Sequence, residues 1–310
     1  MHKIDIVIPT YKPDKAFIEL IDKLCRQTIE INRIIVMNTE EKYYEKLKFE
    51  TGISEKFREC VEVHHLSKLE FDHGGTRHMG IQKSDADIVV LMTQDAMPAG
   101  EELIANLVRA LEGENIAAAY ARQLPAPDHS ELEHIVRNFN YPENSHVRTK
   151  ADIPEKGIKT YFCSNVCAAY KRDIYEKLGG FIRHTIFNED MIYAAEAVKA
   201  GYGIAYAADA CVYHSHDYTN MQQFHRNFDL GVSQADHPRI FSEVPSVSEG
   251  KKLVKVVTEK LKKNNKALLF KFYVQCFFKY AGYFLGKHYS KLPRFLVLKC
   301  TMNPMYWKKI

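Results

Sequence analysis

No stretch of the sequence approaches the ~20 uninterrupted apolar residues that a membrane-spanning helix requires. The longest candidate, Ala267 to Leu285, is broken by Lys271 and Lys279, so the chain is not expected to be integral to a membrane. A secretory signal is not expected either. Met1-His2-Lys3 leads into a short apolar run, Ile4 to Ile8, that stops at Pro9 and is too short for a signal's apolar region. Cysteine lacks the paired short spacings of a zinc site. There are seven, at 25, 60, 163, 167, 211, 276 and 300, and the pair 163/167 has no second pair after it. Reduced, packed thiols are the expectation. Glycine-rich phosphate loops are missing as well. No G-x-G-x-x-G follows the first apolar run and no G-x-x-x-x-G-K-[ST] occurs, which disfavours a nicotinamide dehydrogenase and a P-loop NTPase.

What is present is a chain of 310 residues, 46% hydrophobic, long enough for one large core and an appendage. Plentiful aromatic and β-branched residues exclude disorder. Charge is unevenly divided. From Lys251 to Ile310 there are fifteen Lys or Arg against one acid, Glu259, a local charge of +14. The whole chain carries +4, so residues 1–250 carry −10. The same last sixty residues hold twelve of the thirty-six aromatics.

Short apolar runs at Ile4–Ile8, Arg33–Met37, Val61–Leu66, Ile88–Met92, Ala117–Tyr120, Val166–Tyr170 and Ala205–Val212 predict buried strands. Between them, helical periodicity marks Phe17–Gln27, Glu101–Leu111, Ile174–Leu178 and Glu189–Ala200. Gly74-Gly75 is expected to break the chain before a helix carrying Met79 and Ile81. Alternation of this kind predicts an α/β fold with a mostly parallel, doubly wound sheet and ligands at the carboxyl ends of strands. Leu124 to Ile158 is rich in Pro, His, Asn and charge and reads as a functional loop or short helical insertion. After Pro245 the composition turns helical and basic, which suggests a division into 1–245 and 246–310.

Several residues suit chemistry at strand ends. Pro9-Thr10-Tyr11 closes the first strand with a hydroxyl and a ring that could hold a base, or it is an ordinary turn. Asp95 follows Ile88–Met92, where a carboxylate can bind a hard divalent cation bridging two phosphates; capping a helix is the plainer use. Glu189-Asp190 opens a helix. Acids there are stabilised by the helix dipole, and one of them could serve as general base for an attacking hydroxyl. His214 and His216, two apart after the last strand, point the same way in extended chain and can share a ligand.

Taken together, the chain resembles the rhamnosyltransferase-type members of glycosyltransferase family 2, which have the GT-A fold. The matching segments are Ile8-Pro9-Thr10-Tyr11, Phe71-Asp72-His73-Gly74-Gly75-Thr76-Arg77, Leu91-Met92-Thr93-Gln94-Asp95-Ala96-Met97-Pro98 and Ala121-Arg122-Gln123-Leu124-Pro125. Ser164-Asn165, Gly179-Gly180-Phe181, Asn188-Glu189-Asp190-Met191 and Val212-Tyr213-His214-Ser215-His216 complete the series, which spans about residues 4–235.

The resemblance implies inverting transfer from a nucleotide sugar with a divalent metal, Mn2+ or Mg2+. Pro9, Thr10 and Tyr11 would line the base pocket, helped by Asn38 and Glu40, with Thr76, Arg77 and Gln94 approaching the nucleotide and Arg226 its diphosphate. Asp95 matches the last acid of the D-x-D metal motif, and His214 or His216 would complete the metal site. Asp190 matches the catalytic base, with Glu189, Arg122, Gln123 and Asn165 toward sugar or acceptor. Two positions depart from the pattern: Thr93 stands at the first acid of D-x-D, and Met37-Asn38 where many relatives have an acid that reads the base.

The donor implied is dTDP-rhamnose and the acceptor lipid-linked or polysaccharide, in cell-surface glycan synthesis. The alternatives are another donor such as a UDP-hexose, or a catalytically silent nucleotide-binding subunit. The basic tail has apolar residues at helical spacing, Leu253, Val254, Val256, Val257 and Leu261, then a denser aromatic run from Leu268 to Leu285. It suits an anionic membrane surface, or a helical pair packed on the catalytic domain. The expected location is therefore cytoplasmic and peripheral to the membrane. A homo-oligomer is compatible with the sequence. Nucleic acid is not expected, because no recognised motif accompanies the charge.

Overall fold

The structure, a computed structural model, describes residues 2–51, 57, 59–113, 115–126, 129–216, 218–242, 247–263 and 265–308. Nine strands form one sheet: β1 (Ile4–Tyr11), β2 (Arg33–Thr39), β3 (Val61–Leu66), β4 (Ile88–Met92), β5 (Met97–Pro98), β6 (Ile116–Leu124), β7 (His146–Arg148), β8 (Cys167–Lys171) and β9 (Gly203–Tyr213). Their order is β3-β2-β1-β4-β8-β6-β9-β5, with β7 also paired to β9.

The apolar runs become strands because both faces of the sheet are covered, so alternate residues each find a core. Ile4, Ile6 and Ile8 of β1 face a layer built with Phe17, Leu20 and Ile21 of the helix Lys15–Cys25 and Leu103, Ile104 and Leu107 of the helix Leu103–Ala110. Val7, Ile35 and Leu91 face the opposite layer, with Ile81, Tyr193, Ala194 and Val198 from the helices His73–Lys83 and Glu189–Lys199. The result is a helix–sheet–helix sandwich of the expected α/β class. The run β3-β2-β1-β4 is parallel, while β8 lies antiparallel to both β4 and β6. Direction is set by how the chain crosses over, so the local apolar pattern does not carry it.

Gly74 and Gly75 do not precede their helix; they form its first turn. Asp72 caps it, its Oδ1 accepting from both glycine N–H groups at 3.0 Å. The glycines are needed for contact: a Cβ on Gly74 would overlap the Ile182 carbonyl, and one on Gly75 would press on that of Arg183. They thus let the segment before Glu189-Asp190 lie directly on the helix. Between 124 and 158 the insertion is largely ordered into the helix Glu131–Asn140, β7 and short turns. Ser130 caps that helix through Glu133 N–H.

The C-terminal helices Val247–Leu261, Lys266–Lys287 and Arg294–Cys300 fold back on the body. Phe228 and Val232 of the helix Asn220–Asp236 bury with Ile186, Val297, Tyr306 and Trp307. Leu132 and Ile135 bury with Val257, Leu261 and Phe272. The helices 220–236 and 266–287 touch backbone to backbone at glycines, where a Cβ on Gly282 or Gly286 would overlap the carbonyl of Phe224 or Phe228. Asp229 ties the helix 220–236 to the end of the helix 294–300, accepting from Thr301 Oγ1 at 2.6 Å and Met302 N at 2.9 Å. Gly282→Val is therefore expected to cost about 3 kcal/mol or more by overpacking, read as a fall of several degrees in Tm by thermal unfolding. An unchanged Tm would mean that the two helices are not held this closely. Among the described residues, no helix is long and apolar enough to cross a membrane, and the seven cysteines are free thiols.

Candidate active site

The carboxyl ends of β4, β6 and β9 and the start of the helix Glu189–Lys199 open onto a cleft of about 640 Å³. Asp95, Thr93, Gln123, Asn165, Glu189, Asp190, His214, His216 and Arg226 all line it.

Asp95, His214 and His216 converge at one end. Their ligating atoms lie within 4.8 Å of one another, with His214 Nε2 3.6 Å from Asp95 Oδ1 and His216 Nε2 3.4 Å from Asp95 Oδ2. Which nitrogen of His214 carries the proton follows from its neighbours. Arg137 is donor-only and gives a hydrogen bond to Gln123 Oε1 at 2.6 Å. That oxygen also lies 3.0 Å from His214 Nδ1, so Nδ1 must donate and the Nε2 lone pair is left facing Asp95. Burial pushes the His214 imidazolium down to about 3, and burial also lowers His216; both rings are neutral. Two neutral imidazoles and a half-exposed carboxylate aimed at one point fit a divalent ion with open coordination positions. The Gln123–His214 bond is the kind of outer contact that orients such a ligand.

The two acids are distinguished by their surroundings. Glu189 is buried, and Arg77 Nη1 pairs with it at 3.1 Å while Asn165 Nδ2 donates at 3.1 Å. Burial pushes its carboxyl up, but Arg77, His73 and Asn165 outweigh that and the net direction is down. Asp190 makes no ion pair among the described residues, and Arg77 acts on it only weakly. It accepts from the N–H of Asn165 at 3.0 Å and of Met191 at 2.8 Å. Burial, then the charge of Glu189, pushes it up to about 7, where a carboxylate can take a proton near neutral pH. Asn188, just before the pair, holds the left-handed backbone at φ 66°, a conformation asparagine tolerates. Its Nδ2 is tied to Ser233 Oγ at 3.1 Å, which fixes where the helix begins.

Several sequence-based roles change. Thr10 and Asn38 are buried and bonded to each other at 3.1 Å, with His65 Nδ1 3.0 Å from Asn38 Nδ2; they brace the carboxyl ends of β1 and β2 from within and present no surface. Above them the carboxyl end of β1 carries a rim of half-buried Tyr11, with Tyr43 edge-on at 5.6 Å, Lys12 and Lys68 over the Tyr11 ring, and Glu40, which accepts from Lys68 N–H at 3.0 Å. Pro9 sits in β1 beneath this rim. Gln94 clips Tyr11 through both backbone groups, at 2.9 and 3.1 Å, and so links the rim to the Asp95 loop. Thr76 is fully buried, its hydroxyl accepting from Asp72 N–H, and cannot touch a nucleotide. Arg77 pairs with Glu189 through Nη1 and lines the cleft with its Nε unpartnered. Strand alternation points Arg122 away from the cleft toward Glu143, at 3.4 Å, while Gln123 points in. Asn165 positions both acids.

Tyr43, Lys12, Lys68, His73, Arg137 and Lys279 were missed. The lysines and tyrosines lie on helices and turns with no spacing signal of their own. Arg137 belongs to the helix Glu131–Asn140, which bears out the helical alternative for the insertion, though its polar composition did not give the bounds or the face. Thr93 lines the cleft with its buried hydroxyl unpartnered.

Residues 5–179 match the family model "Glycosyl transferase family 2". The chain is 39% identical over 310 residues to the O-antigen chain rhamnosyltransferase RfbN of Salmonella typhimurium, covering 99% of this chain and 97% of that one. It is 36% identical over 313 residues to the O-antigen chain rhamnosyltransferase WbaN of Salmonella anatum, covering 100% and 97%. Among solved structures, it superposes on the mannosyltransferase PcManGT of Pyrobaculum calidifontis, in complex with GDP-Man and Mn2+, with a TM-score of 0.56 at 14% identity over 99% of this chain and 85% of that one. TarS 1–349 of S. aureus gives a TM-score of 0.53 at 12% identity, over 99% and 87%. At these identities the likeness speaks for the GT-A fold alone.

Proposed function

The chain belongs to glycosyl transferase family 2, and from that premise we propose that it moves L-rhamnose from dTDP-rhamnose, with inversion, to a lipid-linked or polysaccharide acceptor in cell-surface glycan synthesis. The observation that carries the reading is the meeting of Asp190 and the Asp95–His214–His216 group in one cleft. Relatives named as O-antigen chain rhamnosyltransferases support the sugar and the kind of product.

Asp190 takes the proton of the acceptor hydroxyl as that oxygen attacks the anomeric carbon. Asn165 holds its carboxylate in place through the backbone, and burial, with the charge of Glu189, keeps its pKa high enough to receive the proton. Departure of the sugar leaves negative charge on the nucleoside diphosphate, and fixed positive groups aimed at that charge lower the barrier. A divalent ion held by Asp95, His214 and His216 would supply much of that charge stabilisation when bound. The rim of Tyr11, Tyr43 and Lys68 offers a ring face and cations for the base and ribose. A donor panel read by thermal shift tests this. dTDP-rhamnose with Mn2+ at ~100 times its dissociation constant should add ~2.7 kcal/mol of stability, and a UDP-hexose that stabilises more would overturn the donor assignment.

The outer face of the helix Lys266–Lys287 supports peripheral membrane contact on the cytoplasmic side. Phe270, Tyr273, Phe277, Tyr280 and Phe284 recur every three or four residues and stand exposed, within the segment of charge +14. Aromatics beside lysines suit the interface of an anionic bilayer. The full chain should co-sediment with vesicles containing phosphatidylglycerol, less so as salt rises, and Phe277→Ser with Tyr280→Ser should weaken it at every salt. A full chain that stays in solution at low salt would end the membrane reading.

A further inference from the structure

The opposite face of that same helix reaches the cleft. Phe272, Cys276, Gly282 and Gly286 follow one stripe, buried or half-buried against the body. Lys279 lies on this stripe, and its side chain lines the cleft together with Asp95, Asp190 and Arg226. This lysine is half-buried, unlike the exposed Lys266 and Lys271 of the same helix, and burial lowers its pKa. Taking an ammonium out of water costs free energy that a partner must offset, yet among the described residues Lys279 has no ion-pair or hydrogen-bond partner. Arg226 is in the same position. Its guanidinium lies 4.6 Å from the Phe187 ring and 5.8 Å from that of Tyr218, and no carboxylate pairs with it among the described residues.

The local charge is unbalanced as a result. Arg137, Arg226 and Lys279 act on one another across this wall, and Glu133 is the carboxylate that Lys279 feels. Glu133 is already held by Arg137 Nε at 2.8 Å. Two cations are left over, both lining a cleft that also holds the metal-ligand group. Such an arrangement is complete when an anion with several oxygens enters.

We propose that Lys279, supplied by the C-terminal helix, and Arg226 form a diphosphate-binding position, so that the basic tail is part of the binding site. The inference rests on the glycosyltransferase reading for the identity of its ligand. Two sources share the chemistry: the nucleoside diphosphate of the donor, or the phosphate linkage of a lipid-linked acceptor. Packing of the glycine stripe against the helix 220–236 holds Lys279 at the cleft that Arg226 also lines, so tail placement and anion binding are linked.

The test uses the full chain as wild type, Lys279→Gln, Lys279→Met and Lys279→Arg, with Mn2+ present and fold checked by circular dichroism and Tm. Calorimetric titration with dTDP and with inorganic pyrophosphate should show Lys279→Gln and Lys279→Met binding at least one of them about 10- to 100-fold more weakly. Lys279→Arg should restore most of the loss, and the dependence of affinity on salt should be shallower without the charge. A loss with dTDP places the donor diphosphate there. Unchanged dTDP binding, with weaker pyrophosphate binding in saturating dTDP and a raised KM for a phosphate-linked acceptor at unchanged kcat, places the acceptor there. Folded Lys279→Gln and Lys279→Met proteins that bind dTDP and pyrophosphate as wild type does, with an unchanged acceptor KM, would overturn the proposal. If wild type binds pyrophosphate through Lys279 but no nucleoside diphosphate, the position stands and the glycosyltransferase reading fails instead. If the two charge-removing variants misfold, Arg226→Gln decides: weaker pyrophosphate or dTDP binding by the folded variant supports the paired anion seat, and wild-type affinity for both overturns it. Loss of affinity in folded Lys279→Arg would show that packing of the lysine stem matters rather than its charge.

Discussion

Asp190→Asn should abolish transfer, lowering kcat by about 10²- to 10⁴-fold, while leaving nucleoside diphosphate affinity nearly unchanged. The amide preserves shape and can still accept the Met191 N–H, but it cannot take a proton. The loss should therefore fall on turnover and not on binding. The wild-type pH profile carries the same information. A base must be deprotonated, and burial with the Glu189 charge raises Asp190 to about 7, so kcat should climb as pH rises through neutrality and level off above it. Glu189→Gln removes the neighbouring negative charge and leaves Arg77 facing Asp190, so the rising limb should move to lower pH. Turnover of Asp190→Asn above half that of wild type, or a profile flat from pH 5 to 8, would remove Asp190 from this role.

Asp95→Ala carries the second large effect. It takes the carboxylate from the Asp95–His214–His216 group, and metal-dependent donor affinity should fall by at least the 10- to 100-fold typical of disturbing the contacts around a metal ligand. Gln123→Leu is expected to act in the same direction with a smaller loss. It deletes the acceptor that holds the Nδ1 proton of His214, so the imidazole is free to present the wrong nitrogen. Titration of donor with and without Mn2+ reads both variants. Equal Mn2+-dependent affinity in Asp95→Ala and wild type would show that the ion is held elsewhere or is not needed.

Much of this was legible in the sequence where burial on both sides imposes a pattern. β1, β2 and β4 are apolar on both faces, so Ile4–Ile8, Arg33–Met37 and Ile88–Met92 could be read as strands from composition alone. β5 and β7, two and three residues long, are too short to carry a period, and the reversal of β8 lies in its crossover connections. Gly74-Gly75 misled for a physical reason: glycine usually weakens a helix, but here close approach to the segment 182–183 outweighs that cost. Among candidate site residues, Asp95, the Glu189-Asp190 pair, His214 and His216 stood out because strand ends and helix starts concentrate ligand chemistry, and all of them line one cleft. Burial could not be found that way. It turned Thr10, Asn38 and Thr76 from contacts into supports, and it paired Arg77 with Glu189. Lys279 was hidden among fifteen basic residues of the tail, because which face of a helix meets a cleft depends on the partner it packs against.

The central claim is that one cleft couples a carboxylate base to a nucleotide sugar. Its most direct measurement is release of nucleoside diphosphate from dTDP-rhamnose by the full chain with Mn2+ and a lipid-linked glycan acceptor, with the stereochemistry of the new linkage determined. The account predicts acceptor-dependent release with inversion at the anomeric carbon, lost in Asp190→Asn and in Asp95→Ala. Transfer with retention of configuration, or acceptor-dependent release that persists undiminished in Asp190→Asn, would contradict it.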